Sequence, residues 1–208
     1  MMKAKLLALF VCLLVVGCGE SSTPSDPVDP VDFPKAIDLD DKETRDKIIA
    51  EAIDRDGLQY RGKKGERLPY APNEQTPYTG WEKWMYDNGQ IRKLAQIKDG
   101  KRHGLWTTWN ENGQKKLEGN YKDGQLDGLF TSWYENGQKK VERNYKDGKM
   151  DGLYTNWYEN GQKIWEWSYK DGKMNGLKTV WYENGQKHYE VNLKERMKMD
   201  GLYTSWYE

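Results

Sequence analysis

The segment Gly-Leu-Phe-Thr-Ser-Trp-Tyr-Glu-Asn-Gly-Gln-Lys-Lys-Val-Glu-Arg-Asn-Tyr-Lys-Asp-Gly-Lys-Met-Asp, residues 128–151, decides the fold because it recurs. Its Asn-Gly dipeptide returns at 88–89, 112–113, 136–137, 160–161 and 184–185, a constant step of 24 residues. A fixed period of this size means one supersecondary unit repeated, each burying its apolar surface against its neighbours. Asn-Gly between two short runs predicts a two-residue type I′ turn, which needs positive φ at both central residues. The turn glycines are therefore Gly89, Gly113, Gly137, Gly161 and Gly185.

The second connection carries Asp-Gly and a further glycine four residues on, as in Gly100/Gly104, Gly124/Gly128, Gly148/Gly152 and Gly172/Gly176. It is expected to be the wider turn. With both connections short, consecutive strands must be antiparallel and the array a continuous meander. Pairing about Asn136-Gly137 places Thr131 opposite Glu142, Trp133 opposite Lys140 and Tyr134 opposite Lys139. Neither resulting face is cleanly apolar. The expected fold is mainly β: a single-layer, elongated antiparallel β-meander of 24-residue hairpin repeats with one N-terminal capping helix.

Composition agrees with a thin architecture. The 208 residues include ten Trp and fourteen Tyr but three Phe, with 21 Gly. Amphipathic aromatics can lie half-buried across a twisted sheet that has no thick aliphatic core. Charge is balanced overall but unevenly placed. Residues 18–56 carry twelve acids against five bases, a net of −7, while residues 57–208 carry 21 acids and 26 bases, a net of +5. In the repeats the signs alternate, as in Gln-Lys-Lys-Val-Glu-Arg (138–143). Interspersed charge reads as a solvated face with cross-strand ion pairs, not as a basic stripe for nucleic acid.

The N-terminus reads as an address. Lys3 and Lys5 precede an apolar run from Leu6 to Val16, too short for a membrane span and suited to a secretory signal over residues 1–17. The run ends Leu14-Val15-Val16-Gly17-Cys18, which resembles the lipobox of bacterial lipoproteins. That resemblance implies lipidation of Cys18, export, and anchoring through an N-terminal lipid, with Gly19 favouring an outer membrane in a diderm cell. The other cysteine, Cys12, lies within the segment that would be removed. Residues 18–37, rich in Ser, Pro and Asp, form no core and read as a tether.

Residues 38–56 are expected to be a helix, N-capped by Asp40 or Asp41, whose Ile49 and Ile53 face one way. Residues 57–77 read as a degenerate first hairpin and loop, with Pro69 at an edge. The regular array occupies 78–208, its last repeat incomplete.

The recurring Tyr-Glu-Asn-Gly-Gln-Lys-Lys with Tyr-Lys-Asp-Gly-Lys, and Asp99-Gly100-Lys101-Arg102-His103-Gly104-Leu105-Trp106, resemble the MORN repeat over about residues 78–208. The closest likeness is to its bacterial variant, found in proteins labelled YwqK-type antitoxins. The resemblance implies membrane attachment, lipid contact or protein scaffolding. Two departures stand out. The first unit has Met85 where later units have tryptophan, with Trp84 displaced by one. The segment 194–200 carries one extra residue, where a bulge or longer loop is expected. The chain then stops after Glu208, just before the next Asn-Gly would fall, which leaves either a fragment of a longer array or a true edge strand.

No catalytic constellation emerges. His103 and His188 read as solvated side chains. The lone cysteine of the expected mature chain, Cys18, is the expected lipid site, so Cys-His catalysis and thiolate metal sites are not expected. Asp123, Asp147 and Asp171, with Asp127, Asp151 and Asp200, read as turn formers rather than dense calcium ligands. No cofactor is expected, and no enzymatic activity. The candidate binding strip is Trp109, Trp133, Trp157, Trp181 and Trp206, one repeat position flanked by Lys140 and similar bases. The expected function is that of an anchored interaction scaffold at the cell envelope with a protein partner or envelope polymer. The alternatives are glycan, peptide or lipid binding along the strip, and an antitoxin-like module, which the export signal disfavours.

Overall fold

A computed structural model describes residues 37–194 and 198–206. The proposed signal segment, Cys18, and all of the tether except Ile37 lie outside the described residues, as do 195–197 in the 194–200 segment.

The chain opens with helix α1 (Lys42–Glu51), a two-residue strand β1 (Ile53–Asp54) and a 3-10 turn (Arg55–Gly57). A small hairpin follows, β2 (Gln59–Arg61) with β3 (Leu68–Tyr70). The repeats then supply β4 (Gly80–Met85), β5 (Ile91–Lys98), β6 (Lys101–Trp109), β7 (Lys115–Lys122), β8 (Gln125–Trp133), β9 (Lys139–Lys146), β10 (Lys149–Trp157), β11 (Lys163–Lys170), β12 (Lys173–Trp181), β13 (Lys187–Lys194) and β14 (Lys198–Ser205). From β4 to β14 each strand pairs with the next in sequence, all antiparallel, in one open sheet. The meander expected from the 24-residue period is the architecture found.

The two turns are the reverse of the expectation. Asp99-Gly100, Asp123-Gly124, Asp147-Gly148 and Asp171-Gly172 each have positive φ at both residues, about 50° and 75–87°. They are the tight two-residue turns of type I′ character. In Asn136-Gly137 only the glycine has positive φ, at 84°. There Gly137 N donates to Tyr134 O (3.0 Å) and Tyr134 N to Gln138 O (2.9 Å). That is a three-residue loop, a turn closed by a left-handed glycine with a one-residue bulge beyond it. The bulge corrects the expected pairing beside the turn. Trp133 lies opposite Lys139, not Lys140, and Tyr134 opposite Gln138, while Thr131 meets Glu142 as expected.

Asparagine suits this loop for a different reason from its tolerance of positive φ. Asn136 Oδ1 accepts from Gln138 N (2.9 Å) while its Nδ2 donates to Glu159 O (2.9 Å) of the next loop. Asn160 repeats the pattern toward Glu183 O (3.0 Å). The opposite rim is laddered too. Gly124, Gly148 and Gly172 donate their N–H to Arg102, Leu126 and Met150, each at 2.8 Å.

A second irregularity recurs after every tight turn. Opposite β9, the register passes from Met150↔Tyr145 to Tyr154↔Arg143, so β10 carries two residues more than its partner. The same shift occurs in β6, β8, β12 and β14. Gly152, at φ 117°, sits within it, and a Cβ there would come 3.0 Å from Asn144 Cβ. The glycine four residues past each turn thus belongs to a bulge, not to the turn.

Helix α1 is shorter than expected. Asp41 caps it, accepting from Thr44 N at 2.7 Å. It stops at Glu51 because Ala52 turns extended into the core and Ile53–Asp54 pair parallel with Glu82–Lys83 on the outer edge of β4. With that edge taken, the β2–β3 hairpin forms its own two-stranded sheet and is not a first unit of the ribbon. Pro69 is buried there, and its carbonyl accepts from Tyr78 N at 2.8 Å.

Among the described residues the hydrophobic core cluster lies where α1 covers the first strands. Leu39, Ala52, Leu94 and Trp109 are buried, with Ile48, Ile49, Trp81, Ile91 and Leu105 packed around them. Lys83 Nζ donates to Ile49 O (2.8 Å) in the helix's last turn, where a cation is favoured. Beyond the core the buried side chains of the array are chiefly Thr131, Ser132, Thr155, Thr179 and Val191.

Because a Cβ at Gly124 would meet nothing within 4 Å, Gly124→Ala isolates the cost of its left-handed φ of 87°. The expected loss is about 1–2 kcal/mol, less for Gly124→Asn, read as the shift in urea midpoint.

Candidate functional site

Strand alternation assigns Leu153, Thr155 and Trp157 to one face of the sheet and Tyr154 and Asn156 to the other. On the first face a polar network repeats in each unit. Thr107, Thr155 and Thr179 donate Oγ1 to Glu118, Glu166 and Glu190 at 3.2, 3.0 and 3.2 Å. The same glutamates pair with Lys115 (2.7 Å), Lys163 (2.5 Å) and Lys187 (2.8 Å), and Glu142 pairs with Lys139. Residues i and i+3 of a regular strand would point to opposite faces. The one-residue bulge beside the Asn-Gly loop brings them together.

Each of these lysines also lies over the indole of the next unit: Lys115 over Trp133 and Lys139 over Trp157 (both 5.8 Å), Lys163 over Trp181 and Lys187 over Trp206 (both 5.4 Å). The expected flanking base, Lys140, instead lies over Tyr134 at 5.1 Å. Exposed ion pairs contribute about 0–1 kcal/mol. The network's larger consequence is that Trp133, Trp157, Trp181 and Trp206 each have one ring face capped from within the protein. Trp109 differs again. It is 2 % exposed and sealed beneath α1, with Ile91 in the slot the lysines hold elsewhere.

Lys115 joins α1's end of the sheet to this ladder. Burial would lower its pKa, but hydrogen bonds to Glu118 and Asp40 outweigh that and hold the ammonium above the ordinary lysine range. Asp40, just before α1, reaches it at 3.0 Å. Glu190 is held below the ordinary glutamate range, first by its hydrogen bond from Lys187 and against some desolvation.

The leucines of the same face form a second row. Leu105 is covered by the cap, whereas Leu129, Leu153 and Leu177 are 42, 49 and 47 % exposed.

The opposite face carries aromatic pairs. Trp106 meets Tyr121 edge-on at 6.0 Å, Phe130 meets Tyr145 at 6.5 Å, and Tyr154 meets Trp165 at 4.3 Å. At its N-terminal end lies a cleft of about 310 Å³ whose lining includes Arg55, Trp84, Arg92, Arg102, Trp106 and Lys116. The motifs of the repeat do not point to this cleft.

The remaining candidates take structural places. His103 Nδ1 lies 3.4 Å from Asp123 Oδ1, and His188 stacks on Tyr182 at 4.3 Å. Asp127 and Asp151 accept from the backbone N–H of Asp147 and Asp171 at the next tight turn (3.1 and 3.3 Å). Among the described residues no group of three or more His, Cys, Asp or Glu is placed to hold a metal ion.

Four stretches, 102–123, 126–147, 150–171 and 174–195, match the MORN repeat variant. These are four tandem repeats. Each match begins just after a tight turn, so the matched unit is the strand pair β6–β7, β8–β9, β10–β11 or β12–β13. The strands β4 and β5 precede the match. Repeats of this kind are generally binding modules, which suggests a repeat protein with a binding or scaffold role. No curated protein matches the chain.

Because the folded-state pKa of Glu190 is depressed, its contribution to stability is present above its unfolded pKa. It is lost as pH falls through the folded value, below the ordinary carboxylate range of roughly 4. Because the pair is largely exposed and screened, Lys187→Met should lower the unfolding free energy at pH 7 by no more than a few tenths of a kcal/mol, and should flatten the acid limb of urea midpoint against pH.

Proposed function

We propose that the chain is a non-catalytic interaction scaffold, tethered to a bacterial cell membrane by lipid on Cys18, that presents its leucine-bearing face to a protein helix. The exposed row of Leu129, Leu153 and Leu177 carries this reading. These residues continue the face on which α1 already lies over Leu105 and Trp109. Successive leucines are two strands apart, roughly 10 Å. That distance is close to two turns of an α-helix, so apolar residues seven apart on a partner would meet successive repeats. Charge supports the choice. Asp40 adds a second carboxylate to Lys115, while the equivalent Lys139, Lys163 and Lys187 have only their own unit's glutamate as ion-pair partner among the described residues. An amphipathic helix with acidic residues along one flank would complete the pattern.

The tryptophan strip ranks below the leucine row as a contact surface, because the lysines already cap one ring face of each indole beyond Trp109. No helix among the described residues is long and apolar enough to cross a membrane, and the tethering reading rests on the Val15-Val16-Gly17-Cys18 pattern.

Metabolic labelling with a palmitate analogue should mark the wild-type chain and not Cys18→Ala. Equal labelling of both would remove the anchor from this reading. Photo-crosslinking residues at Leu153 and Leu177 should capture a partner in cells, whereas the same groups at Lys140 and Arg143 on the other face should not. Capture from both faces alike would defeat the assignment.

A further inference from the structure

We propose that the cleft on the opposite face, where β4, β5 and β6 meet the 3-10 turn, is a binding site for a small organic phosphate. The first observation is a break in the repeat. Positions 24 residues apart should hold similar side chains, and in two slots on this face later units carry apolar or aromatic residues where this unit carries a base. The slot of Lys93 holds Leu117, Val141, Trp165 and Tyr189 in later units, and the slot of Arg102 holds Leu126, Met150 and Met174. The slot of Trp84 holds Thr108, Ser132, Asn156 and Val180. Three departures in one unit, all lining one cleft, are not needed to propagate the sheet.

The second observation is the charge left over. Lys93 is matched by buried Glu82 at 2.5 Å. Arg55, Arg92, Arg102 and Lys116 also line the cleft, and none of them has an ion-pair partner among the described residues. Their guanidinium groups are held by aromatic faces: Arg92 lies 3.9 Å and Arg55 4.9 Å from the Trp84 ring centre, and Arg102 lies 5.7 Å from that of Trp106. Arg102 Nη1 also donates to the Tyr121 hydroxyl at 3.5 Å, and a guanidinium with five N–H donors has others with which to receive a tetrahedral oxyanion. Like charges this close repel one another, and a dianion would offset that.

The third observation is the size and lining of the cleft. Trp106 and Thr108 line it beside the arginines. The volume of about 310 Å³ exceeds what a bare phosphate needs, so the ligand carries an organic body against Trp106, Tyr86 and Leu117. Arg55 comes from the 3-10 turn after α1 and lines the cleft, so the N-terminal segment bounds one side.

The test uses the full chain and isothermal calorimetry with phenyl phosphate, inorganic phosphate and phenol as probes. Phenyl phosphate should bind in a salt-dependent manner and more tightly than either of the others. Arg102→Leu installs the residue that the next repeat carries, so it should fold. It should weaken phenyl phosphate binding by about tenfold or more, as should Arg92→Gln, because each removes a charge-assisted contact. Lys140→Gln removes the same charge from the slot of Lys116 one unit along and should leave affinity within about twofold. The site is overturned if phenyl phosphate gives no heat at millimolar concentration, if phenol binds equally well, or if a folded Arg102→Leu or Arg92→Gln keeps wild-type affinity. These outcomes are independent of the leucine-face crosslinks and of labelling at Cys18.

Discussion

The backbone hydrogen-bond ladder from β4 to β14 is the constraint on which the rest depends, and it closes only because two different turns alternate. The Asp-Gly turn needs two consecutive residues at positive φ, which aspartate tolerates and glycine adopts without strain. The Asn-Gly loop needs one, and uses the asparagine side chain to bind its own loop and the next. With both edges laddered, every unit presents the same rows of side chains. A single sheet has only nearest-neighbour contacts to hold it, so such a repeat stores its stability in interfaces between adjacent units.

Bulges turn that regular ladder into a functional surface. One extra residue beside each Asn-Gly loop brings Lys139 to the side of Glu142, and its counterparts likewise, so each lysine can cap the indole of the next unit. Two extra residues after each Asp-Gly turn make room for a glycine and set the following leucine on the outer face. The result is one face with a polar network beside exposed leucines, and another with edge-on aromatic pairs. Helix α1 ends the first face at the N-terminal side by filling it with Ile48, Ile49 and Leu39. The 3-10 turn and Arg55 bound the second face at the same end. The two faces therefore acquire their distinct chemistry where the repeat begins, not along its middle.

Much of this was legible from the 24-residue period: a single antiparallel meander, two turns per unit, and a capping helix. The inner register followed too, since Thr131↔Glu142 depends only on the centre of the hairpin. The turn types did not follow. Asn-Gly is the stronger general signal for a type I′ turn, yet here Tyr134 and Gln138 close a longer loop around it and Asp-Gly takes the tight position. Loop choice depended on how the ladder closes at each rim, which dipeptide propensity does not contain. The tryptophan column was visible as a repeat position. That Trp109 is buried while the others carry a lysine depended on a helix about sixty residues earlier in the chain, which is a packing fact.

The sequence by itself determined the repeat, the antiparallel order of the strands and the alternation of side chains, because period and turn residues act locally. It also contained, at positions 84, 93 and 102, the substitutions that break the repeat. Only the tertiary structure decided that these three converge with Arg55 and Arg92 around one cleft, that Glu82 neutralises Lys93 alone, and that α1 covers Leu105 but not Leu129. Those are relations between distant segments. They are set by which edge of β4 is occupied and which face a helix covers, and a local pattern does not encode either.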